Sequence, residues 1–101
     1  MSREEMNPEL QRCRNRIREI DNELLILLNS RTKIALEIAS IKHETGECFR
    51  NREVEREKIN YLQHQYADET SLTRQSIENI MQTIFDETLA IEKKHYPDTT
   101  K

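Results

Sequence analysis

Residues 10–42 read LQRCRNRIREIDNELLILLNSRTKIALEIASIK, and the spacing of apolar side chains in this stretch decides the fold. Leu10, Ile17, Leu24 and Ile38 fall on a seven-residue interval, and Cys13, Ile20, Leu27, Ile34 and Ile41 repeat it three residues later. Alternating steps of three and four are the mark of an α-helix with one apolar stripe. The first series calls for an apolar residue at position 31, and Arg31 stands there instead. Upstream, Asn7 is a suitable N-cap, Pro8 suits the first helical position and Glu9 complements the helix dipole. Downstream, Lys42 and His43 occupy the last turn, with the only glycine, Gly46, just beyond. The pattern predicts one helix of about 35 residues, roughly 50 Å long at the α-helical rise. Such a helix exceeds the diameter of a small domain and carries a coiled-coil-like repeat, so it is expected to pair with a copy of itself.

Further along the chain, Thr45 to Asn51 reads as a loop with Asn51 as the next N-cap. A second helix is expected over about 52–66, with Val54, Ile59, Leu62 and Tyr66 on a sparse apolar face. Asp68 to Ser71 reads as a capping cluster. A third helix is expected over about 72–94, burying Ile77, Ile80, Met81, Ile84, Phe85, Leu89 and Ile91. About residues 1–6 and 97–101 are expected to fray. The 101 residues form a single domain, 1–101, with 35% hydrophobic and 35% charged residues, one Gly and two Pro. So few turn formers exclude sandwiches and barrels, and the class is all-α, with one long helix and two shorter ones. A mean hydropathy of -0.91 with 5% aromatic residues implies a thin core, which favours burial between chains.

The formal net charge of -3 argues against general attraction to nucleic acid or to an anionic membrane. No apolar run reaches membrane-spanning length, and no apolar segment follows the N-terminus as in a signal peptide, so a cytoplasmic protein is expected. Cys13 and Cys48 have no CxxC spacing and no clustered histidines, so two reduced thiols are expected, Cys13 partly in the core, and no metal site. His43, His64 and His95 are scattered and read as solvated surface. Neither a Ser-His-Asp pattern nor a glycine-rich phosphate loop occurs. Any catalysis here is therefore expected to be electrostatic, with no cofactor and no covalent intermediate.

Chemistry is best sought where the apolar pattern breaks. A guanidinium in a seam position is costly without an anionic partner. Lys42 lies eleven residues after Arg31, about 20° around the helix and about 16 Å along it, so two long basic side chains can converge on a small dianion. Arg14 lies roughly 25 Å before Arg31 and cannot serve the same site within one chain. An antiparallel pair of long helices centred near residue 25 or 26 would bring Arg14 of a second copy beside position 37, between Arg31 and Lys42. The alternative for Arg14 is an ordinary surface pair with Asp21 or Glu19.

The run from Arg14 through Ile20-Asp21, Leu24-Leu25 and Arg31 to Ile41-Lys42 resembles the first helix of the small all-helical chorismate mutases. The resemblance extends over essentially the whole chain and is most specific in this helix. It implies an intertwined helical homodimer in which Arg31 and Lys42 contact the substrate's carboxylate and ether oxygen, with Arg14 crossing from the partner. The family carries an Asp-x-x-Arg-Glu element after the loop. Here Asn51 takes the Asp place, and the Arg-Glu pair can be read as Val54-Glu55 without a gap, as Arg56-Glu57 with an insertion, or as Arg52-Glu53 with a deletion. The Arg56-Glu57 register fits the local pattern best, and implies that Arg56 holds a carboxylate and Glu57 a substrate hydroxyl. In the third helix Thr88 stands where the family often has Ser, and Glu92 where it often has Gln. An ionised Glu92 would repel the ether oxygen of a dianion, so it is expected to act as the protonated acid.

The resemblance implies rearrangement of chorismate, a small dicarboxylate, to prephenate. An isochorismate-pyruvate lyase and an aminodeoxychorismate mutase are alternatives on the same fold. From a different class, so is a non-catalytic helical dimerisation module, in which Arg31 would be satisfied by a protein carboxylate.

Overall fold

A computed structural model of the chain describes residues 7–97. Three helices account for most of them: α1 (Pro8–Thr45), α2 (Arg52–Tyr66) and α3 (Arg74–His95). No strand occurs among the described residues. The fraying expected near residues 1–6 and 97–101 falls, Pro97 apart, outside the described residues. No helix is long and apolar enough to cross a membrane among the described residues. The chain divides between Ile34 and Ala35 into two compact units.

The first unit is the N-terminal part of α1. Its start is held as the sequence implies: Asn7 Oδ1 accepts from the backbone N–H groups of Glu9 and Leu10, each at 3.1 Å. The helix runs for 38 residues in all, slightly longer than its apolar pattern. Its seam lies open in the single chain, with Ile17, Ile20 and Leu27 exposed to 58%, 62% and 66%. Cys13, expected partly in the core, is exposed as a free thiol. Leu28, Arg31 and Thr32 alone are half-buried among the described residues of this unit.

The second unit contains the last turns of α1, a short loop, α2 and α3. Gly46 ends α1 with φ 76°, a left-handed conformation that costs glycine nothing. The Glu47 N–H then donates back to the Lys42 carbonyl at 3.0 Å, which closes the helix in a Schellman arrangement. Asn51 starts α2 as expected, its side-chain oxygen accepting from the N–H groups of Glu53 and Val54. The start of α3 differs from expectation. Thr73 and Ser76 cap each other's backbone reciprocally, and the helix begins at Arg74 rather than near 72. This capping box outcompetes the Asp68–Ser71 cluster, which forms a turn closed by Thr70 on the Tyr66 carbonyl.

Helices α2 and α3 pack on each other. Their buried contacts come from Ile59, Ile77 and Phe85, and the unit also buries Ala39 and Phe49. Gln63 fastens the far end of the pair by donating to the Arg74 carbonyl at 2.9 Å. An ion-pair clasp closes the near end. Arg50, in the loop, grips Glu55 of α2 through Nε and Nη2 at 3.0 and 3.1 Å, and reaches Asp86 of α3 at 2.6 Å. Both members of the Arg50–Glu55 pair are largely shielded, at 18% and 15% side-chain exposure, so the forked geometry is not merely a solvated contact. Asp86 is more open. Its carboxyl lies below the usual 3.8 because Arg50, and then Gln82, donate hydrogen bonds to the charged form.

Two outcomes follow for the clasp. Arg50→Ala should lower unfolding stability by about 1–2 kcal/mol, since Glu55 is left shielded without its fork; denaturant melts check this. A depressed carboxyl stabilises the fold above its unfolded value and loses that stabilisation as pH falls through the folded one. Stability should therefore decline as pH drops below about 4, with a shallower decline in Asp86→Asn.

Candidate active site

The basic residues of α1 fall in both units. In the first, Arg14 is exposed and lines a shallow depression with Gln11, Ile17, Arg18 and Asp21. Arg31 is half-buried at the break in the apolar seam. Neither guanidinium is without a partner.

In the second unit, Lys42 is half-buried and its ammonium donates to the Phe49 carbonyl at 3.0 Å. The loop between α1 and α2 thus curls back on the last turn of α1. Phe49 is the reason it can, because its ring is 95% removed from solvent while its neighbours Cys48 and Arg50 are more open. A lone aromatic in a polar loop was the available signal for this anchor, and the periodicity of helices says nothing about it.

On α3, Thr88 and Glu92 lie one turn apart on one face, continuing the stripe of Ile77, Met81 and Phe85. The Thr88 hydroxyl donates to the Ile84 carbonyl at 2.7 Å, which leaves its oxygen lone pairs as acceptors. Glu92 is 7% exposed and is the one buried charged side chain among the described residues. A carboxyl removed from water has to be partnered, and Glu92 is. It sits where helix periodicity calls for an apolar residue, so the sequence break at Glu92 marks the same kind of position as Arg31 on α1.

The α2 candidates are placed differently. Asn51 is exposed, and its side-chain oxygen is already used in the cap of α2. Arg56 is exposed along an open groove between α2 and α3, beside Arg52, Glu55, Ile59 and Gln82. Glu57 is exposed and, two residues from Ile59, points about 160° away from the buried stripe of α2. Glu55, the acid of the ungapped register, is committed to Arg50 and lies on the Gln82–Asp86 side of α3. The structure therefore places Thr88 and Glu92 on one face of α3 and Arg56 on the groove side of α2, one turn from Ile59, while Glu57 points away from that side. The clasp itself, Arg50 with Glu55 and Asp86, was missed in the sequence, because its partners are 5 and 36 residues apart and follow no helical period.

No group of three or more His, Cys, Asp or Glu side chains among the described residues is arranged to hold a metal ion.

Comparison with protein families matches residues 13–93 to chorismate mutase type II. No curated protein and no solved structure matches the chain. The matched segment begins one residue before Arg14 and ends one residue after Glu92, so it takes in α2, most of α1 and α3, and every site candidate named above. With that coverage, the chain belongs to the chorismate mutase type II family.

Proposed function

We propose that the protein converts chorismate to prephenate in a homodimer. The observation that carries the reading is the family match across the helices bearing Arg14, Arg31, Lys42 and Glu92. The rearrangement is pericyclic: one C–O bond breaks as one C–C bond forms, with no proton transfer and no nucleophile. An enzyme accelerates it by holding the compact conformer and by stabilising negative charge that grows on the departing ether oxygen.

Each residue has a part in this scheme. Arg31 and the Arg14 of a second copy hold substrate carboxylates through forked hydrogen bonds. Lys42 donates to the ether oxygen, and Glu92 donates to the same atom as the neutral acid. The neutral acid is the form the scheme needs, because an ionised carboxylate would repel the ether oxygen of a dianion. Thr88 adds a hydroxyl on the same face of α3. From α2, Arg56 meets a carboxylate and Glu57 the ring hydroxyl, with Asn51 beside them. Commitment of Glu55 to Arg50 argues against the ungapped register, in which Glu55 would be the acid.

The dimer rests on the open seam of α1. A row of Ile and Leu side chains half or more exposed along one helix is too extended to leave in water. Its heptad spacing matches a second copy of itself. Arg14 then becomes useful, since it stands too far from Arg31 along α1 to share a site in one chain.

Chorismate turnover, with the product identified by NMR, tests the reading directly. Prephenate is the expected product. Pyruvate with salicylate from isochorismate, or an amino-substituted product from aminodeoxychorismate, would move the assignment to a relative on the same fold. Absence of turnover with all three would leave a helical dimerisation module. Lys42→Ala should lower kcat/KM by about a hundredfold or more, comparable with loss of an oxyanion donor. Activity should rise toward acid, because deprotonation of Glu92 both removes a donor and repels the dianion; in Glu92→Gln the pH–rate profile should be flat. Mixed dimers test the crossing of Arg14. Co-refolding inactive Arg14→Ala with inactive Lys42→Ala should restore about a quarter of wild-type activity, since random pairing rebuilds one complete site in each heterodimer. No recovery would place Arg14 and Lys42 in the same chain's site or outside it.

A further inference from the structure

The α3 C-cap residue Tyr96 is half-buried, and its aromatic ring is packed between two others. It stacks on His43 of α1 with centroids 4.8 Å apart, and it meets the Phe49 ring edge-on at 5.8 Å. Phe49 is the residue whose carbonyl accepts the Lys42 ammonium. The Tyr96 backbone N–H also donates to the Glu92 carbonyl at 3.0 Å. One residue at the end of α3 therefore touches the residue that holds Lys42 and caps the turn that carries Glu92.

From this chain of contacts we propose that Tyr96 is a positioning residue for Lys42, acting through Phe49. The physical need is clear. A lysine ammonium is a point charge on a stem of four rotatable bonds, and unrestrained it spreads over many rotamers. A donor aimed at developing charge is effective only when its orientation is settled before the reaction, by a supporting shell that cannot move. A carbonyl in a loop supplies that support only if the loop is itself fixed. Gly46 gives the loop its sharp exit from α1, and the Glu47 N–H bond back to the Lys42 carbonyl holds only the first step of it. Restraint comes instead from the seated Phe49 ring, with Tyr96 as an aromatic wall behind it. Edge-to-face geometry makes that contact directional as well as apolar. His43, one residue after Lys42, also packs on the Tyr96 ring. Helix α3 is thereby coupled to the last turn of α1 at the point where the ammonium is aimed.

The consequence for catalysis rests on the mutase reading, with Lys42 at the ether oxygen. The consequence for Lys42 itself does not. Competitive acetylation of all lysines, quantified by mass spectrometry, reads the second without any substrate. In the parent protein the Lys42 amine should react several-fold more slowly than the exposed Lys33 and Lys93, which serve as internal references. Tyr96→Ala should bring Lys42 toward the reference rate, and Tyr96→Phe, which keeps the ring, should restore its protection. With chorismate, Tyr96→Ala should lower kcat by about tenfold or more while KM moves little, because misaim of a donor to the breaking bond is felt in the transition state; Tyr96→Phe should again recover the parent value. A folded Tyr96→Ala variant with unaltered Lys42 reactivity and unaltered kcat overturns the proposal. So does a Tyr96→Phe variant as impaired as Tyr96→Ala, since the ring would then not be the operative feature. If Tyr96→Ala does not fold, Tyr96→Leu, which retains bulk without an aromatic edge, is judged by the same two outcomes. Protection of Lys42 in the parent protein and its loss in Tyr96→Ala, in a protein without chorismate turnover, support the tether and overturn only the mutase reading.

Discussion

A row of Leu and Ile side chains runs down α1 and lies open to water in the single chain, and this is the constraint on which the remaining architecture turns. The helix is 38 residues long, whereas α2 and α3 have 15 and 22. The smaller helices can bury their own narrow stripes against each other, as Ile59, Ile77 and Phe85 do. The α1 seam is a different matter, because its apolar residues find no such cover and stay exposed along the helix. A guanidinium set into such a seam costs more the better the seam is covered. Arg31 is the one charge set into that seam, and it is half-buried there while its apolar neighbours stand open.

The second unit illustrates how backbone groups take part in positioning charge. A Schellman closure at Gly46 releases the chain from α1, Phe49 drops into the core, and its carbonyl turns toward Lys42. Opposite, the Arg50 clasp binds loop, α2 and α3 through three charged side chains. These two arrangements bracket a stretch of only a few residues. They hold it by different physics, one by an aromatic ring removed from water and the other by shielded ion pairs.

Much of the fold was legible because helices announce themselves locally. The cap at Asn7, the stop at Gly46 and the cap at Asn51 all depend on contacts between residues a few positions apart, and all three occur where the sequence implies. The start of α3 was misplaced by two residues for an equally local reason: two competing capping sets adjoin each other, and the reciprocal Thr73–Ser76 pair makes more bonds than the acidic cluster before it. Arg31 was visible as a charge in an apolar register and Glu92 only through the family resemblance, and both are withdrawn from full exposure. The α2 pair was less accessible to such reasoning. Neither Arg56 nor Glu57 interrupts an apolar series, so periodicity has nothing to say about which of three adjacent registers carries a function.

What the sequence determined by itself is the set of three helices, their approximate ends, the family to which their pattern belongs and the charges that break it. Each of these rests on hydrogen bonds within a turn or on a repeat of three and four, both of which are written along the chain. Only the tertiary structure decided that Arg50 would take Glu55 and Asp86, that a loop phenylalanine would present its carbonyl to Lys42, and that Tyr96 would close over that phenylalanine. Those contacts join residues 5 to 47 positions apart with no common period, and they exist because packing α3 against its neighbours brings their side chains within a few ångströms.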